Sequence, residues 1–473
     1  MFCLPLYEGR NHSEFLGIGY LSASLKKAGH ETLILDENAA AFVAKRSADL
    51  NSSFWVREWI KKRITEFIPD VLAVTINTTN YRNALNLLSF LKSNFPEVFI
   101  IVGGPHITCC YDSFSRFHRD CFDAAVSGEG ETAVLKVLSD FAVSGIRQPV
   151  KLYKESLLNS LDVLPFPDRD GFYQAWAAEK RELVREHYAD CFYTQLPGFR
   201  GRKFARVVVS RGCDHACNFC SASKIWIDGN DSAVRRVRTP ESVYKEVNSL
   251  ARSGVNAIYF DDPTFPLTSN LNFVNRFCEL IQASDLKINF GLVTRAEEID
   301  ERSIKAFAAI GLKYLYFGLE NIDSDKLRKM GKNTEHSKSF NALKICENHG
   351  VYGDVSYQVG FPGLSRDEML REFDRLAELF PNRNVFFSLT AVWPKTKLAL
   401  ESGLSGDDYE PSADKEKWAA KGLYYFEPGN PKIEIYYSNC SGTYHFIDEE
   451  TAIWIKEQLI DREFIKRFDR IKQ

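Results

Sequence analysis

The sequence predicts an α/β chain in which a doubly wound parallel-sheet domain precedes a partial (β/α)6 barrel and a small C-terminal region. Three observations lead to this fold class. Apolar runs such as 71–76 and 98–102 lack the alternation of half-exposed strands, which is typical of parallel strands buried on both faces. Amphipathic helices separate these apolar runs, and the same alternation of strands and helices begins again at Phe204. A length of 473 residues also requires more than one domain.

Residues 1–150 form the first predicted domain. Its first helix is predicted from apolar residues that recur at helical spacing from Phe15 to Leu25, and Gly29 marks the end of this helix. The expected order of elements is strand 2–4, helix 15–25, strand 31–35, strand 71–76, helix 81–95, strand 98–102, strand 123–126 and helix 131–141. Residues 151–203 lack this rhythm and are expected to be a connector, with prolines in 164–168.

Residues 204–398 form the second predicted domain, the partial barrel. Its helix after the first strand should begin at Thr239, with Pro240 at the first helical position, and end near Gly254. The six predicted strands are 206–210, 257–260, 288–293, 314–317, 355–359 and 385–390. Active groups of such a barrel should lie at the carboxyl ends of its strands.

Residues 399–473 form an aromatic-rich C-terminal region that lines a substrate pocket or simply packs, and we favour packing. A helix with Ile455, Leu459 and Phe464 closes the chain. The aromatic residues of this segment are Tyr424, Tyr425, Phe426, Tyr436, Tyr437, Tyr444 and Phe446.

The composition excludes several classes of partner. A net charge of −3 and a pI near 6.4 give no support for a nucleic-acid or acidic-membrane partner. No apolar run is long enough for a membrane helix and no signal peptide is recognised, so a cytoplasmic protein is expected. The 11 cysteines are odd in number and scattered, which argues against a disulfide framework.

Three cysteines after the first barrel strand are the strongest chemical signal in the chain. Cys213, Cys217 and Cys220 form a C-x3-C-x2-C run on one short loop. Three thiolates suit three corners of an iron–sulfur cube, and no fourth cysteine stands nearby at a matching spacing. One iron would then remain open for a ligand that is not protein. The alternatives are zinc, which usually takes a fourth Cys or His, and three buried thiols.

This loop, with Phe219 before the last cysteine, resembles the radical S-adenosylmethionine (radical SAM) superfamily. The resemblance implies a [4Fe–4S] cluster on the three cysteines, with the methionine part of SAM on the fourth iron. Residues at the other strand ends fit the same family. The implied SAM contacts are Phe219, Asp261, Asp262, Arg295, Glu320 and Gly360. Trp393-Pro394-Lys395-Thr396 departs from the family's P-G-T at Lys395.

The strand ends of the first domain carry polar residues and glycines that let a backbone approach a flat ligand or a phosphate, although tight turns without a ligand explain them equally well. A dinucleotide site is poorly supported because no G-x-G-x-x-G is present. The candidate residues are Thr75, Asn77, Gly103, Gly104, His106, Thr108, Gly128, Glu129 and Gly130.

Joined to the barrel, this order of motifs resembles the cobalamin-binding radical SAM enzymes, which implies a Rossmann-like cobalamin domain over 1–150. The segments that carry the resemblance are 16–21, 29–30, 103–106, 128–131 and 166–170. The D-x-H-x-x-G motif of other cobalamin proteins is absent, and His106 is the nearest candidate. We therefore expect base-off cobalamin with no histidine on cobalt.

The resemblance implies methylation of an unactivated carbon, or phosphorus, centre of a small molecule, natural-product intermediate or peptide. One SAM would methylate cobalamin, and a second would give the 5′-deoxyadenosyl radical with an electron from a reductant such as flavodoxin or ferredoxin. Cobalamin-dependent cyclisation or oxidative rearrangement without methyl transfer is the alternative within the class. Alternatives of other classes are a non-catalytic cobalamin or iron–sulfur sensor and a zinc-stapled interaction protein.

Overall fold

The computed structural model describes residues 1–7, 13–46, 52–144, 151–189, 191–227, 232–381, 385–426, 443–462 and 464. These residues belong to two compact units. The first unit takes its residues from Met1–Leu158, Val163–Cys191 and Ala399–Asp414, and the second from Asn159–Asp162, Phe192–Leu398 and Lys415–Gln473. The C-terminal region, expected as one segment from 399 onward, is therefore divided between the units. The functional division into four segments stays a prediction.

The first unit contains a six-stranded sheet with helices between its strands. The strands are β1 (Phe2–Leu4), β2 (Ile34–Asp36), β3 (Val71–Thr75), β4 (Phe99–Gly103), β5 (Ala124–Ser127) and β6 (Lys151–Lys154). The helices are α1 (Leu16–Lys27), α2 (Glu37–Arg46), α3 (Ser52–Phe67), α4 (Tyr81–Asn94), α5 (Pro105–His118), α6 (Gly130–Ser144), α7 (Gly171–Gln174) and α8 (Ala178–Ala189).

All neighbouring strands of this sheet are parallel, in the order β2-β1-β3-β4-β5-β6. The order reverses at β1, because β2 lies on one side of it and β3 on the other. Such a reversal opens a crevice at the carboxyl ends of the strands, where open α/β sheets bind ligands. The predicted doubly wound sheet is confirmed.

Several elements of the first unit were not predicted. They are helices α2 and α3 and the edge strand β6, none of which has strong apolar periodicity. In β6, for example, only Tyr153 is buried. Helix α5 begins directly after Gly104, with Pro105 at its first position, where a glycine-rich loop was expected. Proline is common at the first position of a helix, because the N–H that it lacks would have no hydrogen-bond partner within the helix.

The second unit contains six parallel strands in the order β14-β13-β12-β11-β10-β7, which confirms the partial barrel. The barrel strands are β7 (Phe204–Val207), β10 (Ala257–Phe260), β11 (Asn289–Arg295), β12 (Leu312–Glu320), β13 (Tyr352–Val359) and β14 (Val385–Leu389). A separate antiparallel pair is formed by β8 (Ser210–Arg211) and β9 (Arg236–Val237).

The helices of this unit connect the barrel strands along the chain. They are α9 (Ala222–Ile225), α10 (Pro240–Arg252), α11 (Leu271–Gln282), α12 (Glu301–Ala309), α13 (Ser324–Lys329), α14 (His336–Asn348) and α15 (Arg366–Leu379). Helix α10 begins as predicted, because the Thr239 side chain accepts a hydrogen bond from the Ser242 amide and Pro240 is the first helical residue. Gly254 follows its end with φ +90°. None of the described helices has both the length and the apolar character that a membrane crossing requires.

The C-terminal residues of the second unit form a small antiparallel sheet and a helix. The sheet has the order β15-β17-β16, with β15 (Ala391–Val392), β16 (Tyr424–Phe426) and β17 (Thr443–His445). The remaining helices are α16 (Lys397–Glu401), α17 (Glu416–Ala419) and α18 (Glu449–Asp461). Tyr444 and Phe426 are buried, as the packing interpretation predicts, whereas Tyr436 and Tyr437 lie outside the described residues. Ile455, Leu459 and Phe464 are core residues.

Candidate functional site

The entrance to the cysteine loop is fixed by one buried carboxylate. Oδ1 of Asp262, just after β10, accepts hydrogen bonds from the Val209 amide at 3.0 Å, the Ser210 amide and the Ser210 hydroxyl at 2.9 Å. Burial raises the pKa of Asp262 to about 7, against the opposing effect of the Ser210 hydrogen bonds. These contacts end the first barrel strand at Val207, earlier than predicted, and turn the chain into β8.

The three cysteines that follow differ in exposure. Cys213 is buried, with its Sγ 3.7 Å from the Thr264 hydroxyl, while Cys217 and Cys220 are partly exposed. Burial raises the pKa of Cys220 to about 11, and the charges of Cys217 and Cys213 raise it further. Three thiolates on one short loop are soft donors, which fits iron–sulfur chemistry.

The middle of the loop is held by Asn218, which the sequence did not single out. Its amide N–H donates to the Met330 carbonyl at 3.0 Å, and its side-chain Nδ2 donates to the Lys329 carbonyl at 2.6 Å. Its own carbonyl accepts from the Leu398 amide at 3.0 Å. Two distant parts of the chain thus fix the backbone between the second and third cysteines.

Gly331 brings the end of α13 close to this loop. Its φ of +69° lies in the left-handed region, and a Cβ there would lie 3.0 Å from the Ala216 carbonyl oxygen. A side chain at this position would push against the cysteine loop.

A cationic side chain touches the second cysteine. Arg295, at the end of β11, directs Nη1 to the Cys217 Sγ at 3.3 Å and Nη2 to Glu297 at 3.1 Å and to the Lys332 carbonyl at 2.9 Å. Burial raises the pKa of the Cys217 thiol, whereas the Arg295 and Lys332 charges lower it. The contact of Arg295 with SAM stays a prediction, and Lys332 was not predicted from the sequence.

Glu320 lies at an irregularity of β12. The pairing of β12 with β13 shifts between Gly318 and Glu320, and Glu320 has φ +64°. Irregularities of this kind re-aim a side chain and concentrate at functional sites. The carboxylate accepts from Lys332 Nζ at 3.3 Å and from Gln358 Nε2 at 3.2 Å.

The remaining predicted SAM residues lie at other strand ends. Asp261 follows β10 and accepts from Arg206 Nη1 at 2.5 Å and from the Tyr193 hydroxyl at 3.4 Å. Gly360 follows β13 with φ +74°, and Phe219 is partly exposed on the cysteine loop. In this structure Asp262 has a positioning contact to Ser210, so its role toward SAM stays a prediction.

The Lys395 turn forms despite its departure from the family pattern. Lys395 has φ +60°, a conformation that glycine adopts freely, and the Thr396 hydroxyl donates to the Trp393 carbonyl at 2.7 Å.

The described residues contain no group of three or more His, Cys, Asp or Glu side chains placed to hold a single metal ion. A cube differs from a single ion, because each thiolate binds its own iron.

In the first unit, the turn after β4 packs so closely against neighbouring backbone that it has no room for a side chain at Gly104. Gly104 has φ +106° and ψ 178°, a region open essentially to glycine alone, and a Cβ would lie 2.7 Å from the Ile76 carbonyl oxygen. Thr75 is buried at the end of β3, Gly103 ends β4, and the Asn77 amide donates to the Asn80 side chain at 2.8 Å. The close packing explains why position 104 needs a glycine, and the contacts of these turn residues with cobalamin stay a prediction.

His106 is fully buried beneath this turn. Its ring lies 4.1 Å from that of Tyr81, and its Nδ1 lies 3.1 Å from the Thr78 hydroxyl. Burial lowers its pKa to about 4. Nε2 of this ring has no hydrogen-bond partner among the described residues, and the contact of His106 with cobalamin stays a prediction.

The turn after β5 is open by comparison. The Gly128 amide donates to the Thr108 hydroxyl at 3.0 Å, and a Cβ on Gly128 would meet no atom within 4 Å. Glu129 is buried and accepts from the Leu158 amide, whereas Gly130 is needed for contact with Leu21, 2.8 Å from its Cβ position. The turn is therefore open immediately beside Gly128.

The 166–170 segment docks on α1. Asp168 donates its amide to the Gly19 carbonyl at 2.9 Å, and its carboxylate lies 2.7 Å from Lys26 Nζ. A Cβ on Gly19 would lie 3.1 Å from Pro167, so close packing requires a small residue.

A buried cluster around Glu410 was missed entirely. Its carboxylate accepts from Tyr81 at 2.6 Å and Ser113 at 3.1 Å, and lies 2.8 Å from His118 Nε2. Glu410 follows the barrel by many residues, and nothing in its local sequence signals that it packs against α4 and α5.

Comparisons with known proteins match this geometry. The model of the radical SAM superfamily matches residues 207–376, and that of the B12 binding domain matches residues 11–138. The chain is a B12-binding radical SAM enzyme. Both matches fall on the two units described above, with the cysteine loop inside the first range and the turns after β3, β4 and β5 inside the second.

Curated relatives of this B12-binding radical SAM enzyme include two different activities. An uncharacterized methyltransferase of Pyrococcus horikoshii is 28% identical over 401 residues, which is 81% of this chain and 77% of the relative. The anaerobic magnesium-protoporphyrin IX monomethyl ester cyclase of Rubrivivax gelatinosus is 24% identical over 401 residues, which is 82% of this chain and 66% of that longer protein.

Solved structures of this fold cover almost all of the chain. The radical SAM methyltransferase TsrM from Kitasatospora setae, solved with cobalamin and a [4Fe-4S] cluster, has a TM-score of 0.65 at 15% identity and covers 98% of this chain and 88% of its own. Its structure with tryptophan and a SAM analog has a TM-score of 0.62 at 16% identity, covering 91% and 79%.

Proposed function

We propose that this chain is a cobalamin-dependent radical SAM methyltransferase that methylates an unactivated carbon, or phosphorus, centre of a small molecule or peptide. The observation that carries the proposal is the loop with Cys213, Cys217 and Cys220 after the first strand of a partial barrel, in a chain that also has a B12-binding domain. The methyltransferase relatives support transfer of a methyl group.

The residues have separate tasks in this proposal. Cys213, Cys217 and Cys220 would hold the [4Fe–4S] cluster, and the cluster, SAM and cobalamin would together supply the electron, the radical and the methyl group. Asp262 and Asn218 would fix the loop. The residues proposed to hold SAM are Phe219, Asp261, Arg295, Glu320 and Gly360.

The first unit would bind cobalamin at the carboxyl ends of its strands, where the strand order reverses. Gly128 has open space beside it and would allow close approach. The residues proposed to contact cobalamin are Thr75, Asn77, Gly103, Gly104, Thr108, Gly128, Glu129 and Gly130. No histidine is proposed on cobalt, because His106 is buried and hydrogen-bonded inside the unit.

A second candidate function is ring formation without methyl transfer. The similarity to the Rubrivivax cyclase over 82% of the chain supports it. Both reactions need the same cofactors and a low-potential reductant such as flavodoxin or ferredoxin, so the fate of the SAM methyl group must discriminate between them.

The test uses anaerobically reconstituted protein with cobalamin, dithionite and SAM labelled with ¹³C in its methyl group. Methyl transfer predicts a ¹³C-methyl group on cobalamin, detected by mass spectrometry after acid quenching in the dark. A parallel reaction contains magnesium-protoporphyrin IX monomethyl ester, which the cyclase alternative predicts to be converted. Conversion of this porphyrin with no labelled cobalamin would overturn the methyltransferase proposal. Absence of both iron and SAM cleavage would overturn the whole class.

A further inference from the structure

Lys332 is a buried lysine that links three parts of the candidate site. It is 4% exposed, and its Nζ donates to the Gly318 carbonyl at 2.6 Å and to Glu320 at 3.3 Å. Its backbone carbonyl accepts from Arg295. A continuous chain of contacts therefore runs from the Cys217 sulfur through Arg295 and Lys332 to Glu320.

Close packing holds this arrangement in place. An ideal Cβ on Gly318 would lie 2.5 Å from Lys332 Nζ and 2.2 Å from Glu320 Oε1, so the ion pair fills the space beside the glycine. Lys332 and Glu320 have side chains only 3% and 12% exposed, which weakens screening by water. A buried ammonium is costly unless it is paired, and Glu320 supplies the pairing.

Arg295 contacts the sulfur directly, because its Nη1 lies 3.3 Å from the Cys217 Sγ. Lys332 is one contact further along, since its backbone carbonyl accepts a hydrogen bond from Arg295 Nη2 at 2.9 Å. Both side chains are cationic, so their charges favour added negative charge at this sulfur.

We propose that Lys332 and Arg295 are positioning residues that raise the reduction potential of the cluster through Cys217, and that Glu320 moderates their effect. This inference rests on the proposed function, since it requires a cluster on the cysteine loop. Reduction adds one negative charge beside Cys217. Nearby cations and hydrogen bonds to a ligand sulfur stabilise the reduced form, and net charge and such hydrogen bonds set the potentials of these clusters.

Three charge changes separate this role from a purely structural one. Lys332→Met removes the cation and keeps the chain length, so the potential should fall. Glu320→Gln removes the carboxylate charge, so the potential should rise. The double variant removes both charges and should lie between the two. Lys338→Met is the matched control, because Lys338 is an exposed lysine on α14.

The measurement is a potentiometric titration of the reconstituted full chain without SAM, followed by the electron paramagnetic resonance signal of the reduced cluster. For Lys332→Met we expect the ratio of reduced to oxidised cluster at a fixed potential to fall about tenfold, which corresponds to about 59 mV for one electron. Arg295→Gln should shift the potential in the same direction. Lys338→Met should titrate like the parent protein.

Potentials of Lys332→Met and Glu320→Gln that equal the parent value, at full iron content, would overturn the proposal. Shifts of both variants in the same direction would also overturn it, because they would report damage instead of charge. If Lys332→Met does not fold, the reduction potential of Glu320→Gln still tests the proposal, because a rise in this potential is expected only from a charge effect. If the parent protein takes up no cluster, the proposed function itself is refuted. This outcome is distinguished by the absence of any electron paramagnetic resonance signal from a reduced cluster.

Discussion

Asp262 accepts hydrogen bonds from both the amide and the hydroxyl of Ser210, three residues before the first cysteine of the loop. Asp262→Ala leaves these buried donors without a partner, so we expect it to lower the free energy of unfolding by about 2 kcal/mol and to reduce iron uptake. Asp262→Asn keeps an acceptor oxygen and should retain most of the iron. Urea denaturation and iron analysis check this, and equal iron content in the Ala variant would contradict it.

Cys217→Ala should abolish production of 5′-deoxyadenosine from SAM while cobalamin binding stays near normal, because the loop would hold the cluster with two thiolates only. Cys278→Ala is the matched control. Cys278 is buried in α11, away from the strand ends, and its loss should leave SAM cleavage intact. Liquid chromatography of deoxyadenosine and the corrin absorbance of repurified protein measure the two effects. Retained cleavage in Cys217→Ala would count against the assignment of this ligand.

Gly104→Ala should destabilise the first unit by about 2 kcal/mol or more, since it combines a backbone region closed to alanine with a 2.7 Å contact to the Ile76 carbonyl oxygen. Gly128→Ala has a positive φ but open space around its Cβ, so a smaller loss of about 1 kcal/mol is expected. Unfolding curves of the two full-length variants give the comparison. Equal losses would show that steric closure at Gly104 is unimportant.

Glu410→Ala should cost about 3–5 kcal/mol, because it leaves the buried Tyr81 and Ser113 hydroxyls and His118 without their shared acceptor. Asp407→Ala removes a nearby carboxylate whose ion pair with Arg116 is exposed, so less than about 1 kcal/mol should be lost. Thermal unfolding of the full chain distinguishes them. A similar cost for both variants would argue that the Glu410 cluster adds nothing beyond an exposed pair.

His106 should make the first unit less stable in mild acid. Its folded pKa of about 4 lies below the ordinary value of 6.5, so the unfolded chain binds a proton first. Stability due to this group is complete above about pH 6.5 and falls by about 3 kcal/mol as the pH drops to about 4. His106→Phe should flatten this part of the profile, measured by urea denaturation across that range. A profile parallel to that of the parent would rule His106 out as the cause.

Much of the fold follows from the sequence because its signals are local. Apolar runs located β3, β4 and the barrel strands, and the Thr239-Pro240 pair located the start of α10. The cysteine loop was recognised from its spacing alone. Glu410 was not recognised because its partner Tyr81 lies 329 residues away in the chain. Lys332 was not recognised because no local pattern distinguishes a buried charge from an exposed one. The burial of His106 was missed for a related reason, because a histidine beside a Gly-Gly-Pro turn looks accessible until the packing of Tyr81 is known.

Asn218 is fixed by the carbonyls of Met330 and Lys329 and by the Leu398 amide, all of them contacts that form when the chain folds. The entropy of ordering this loop is therefore lost during folding and not when iron and sulfide arrive. Cluster delivery should therefore need little rearrangement of the peptide, provided that the three thiols are kept reduced. Loss of the inorganic core to oxygen would then leave the backbone of the loop in place.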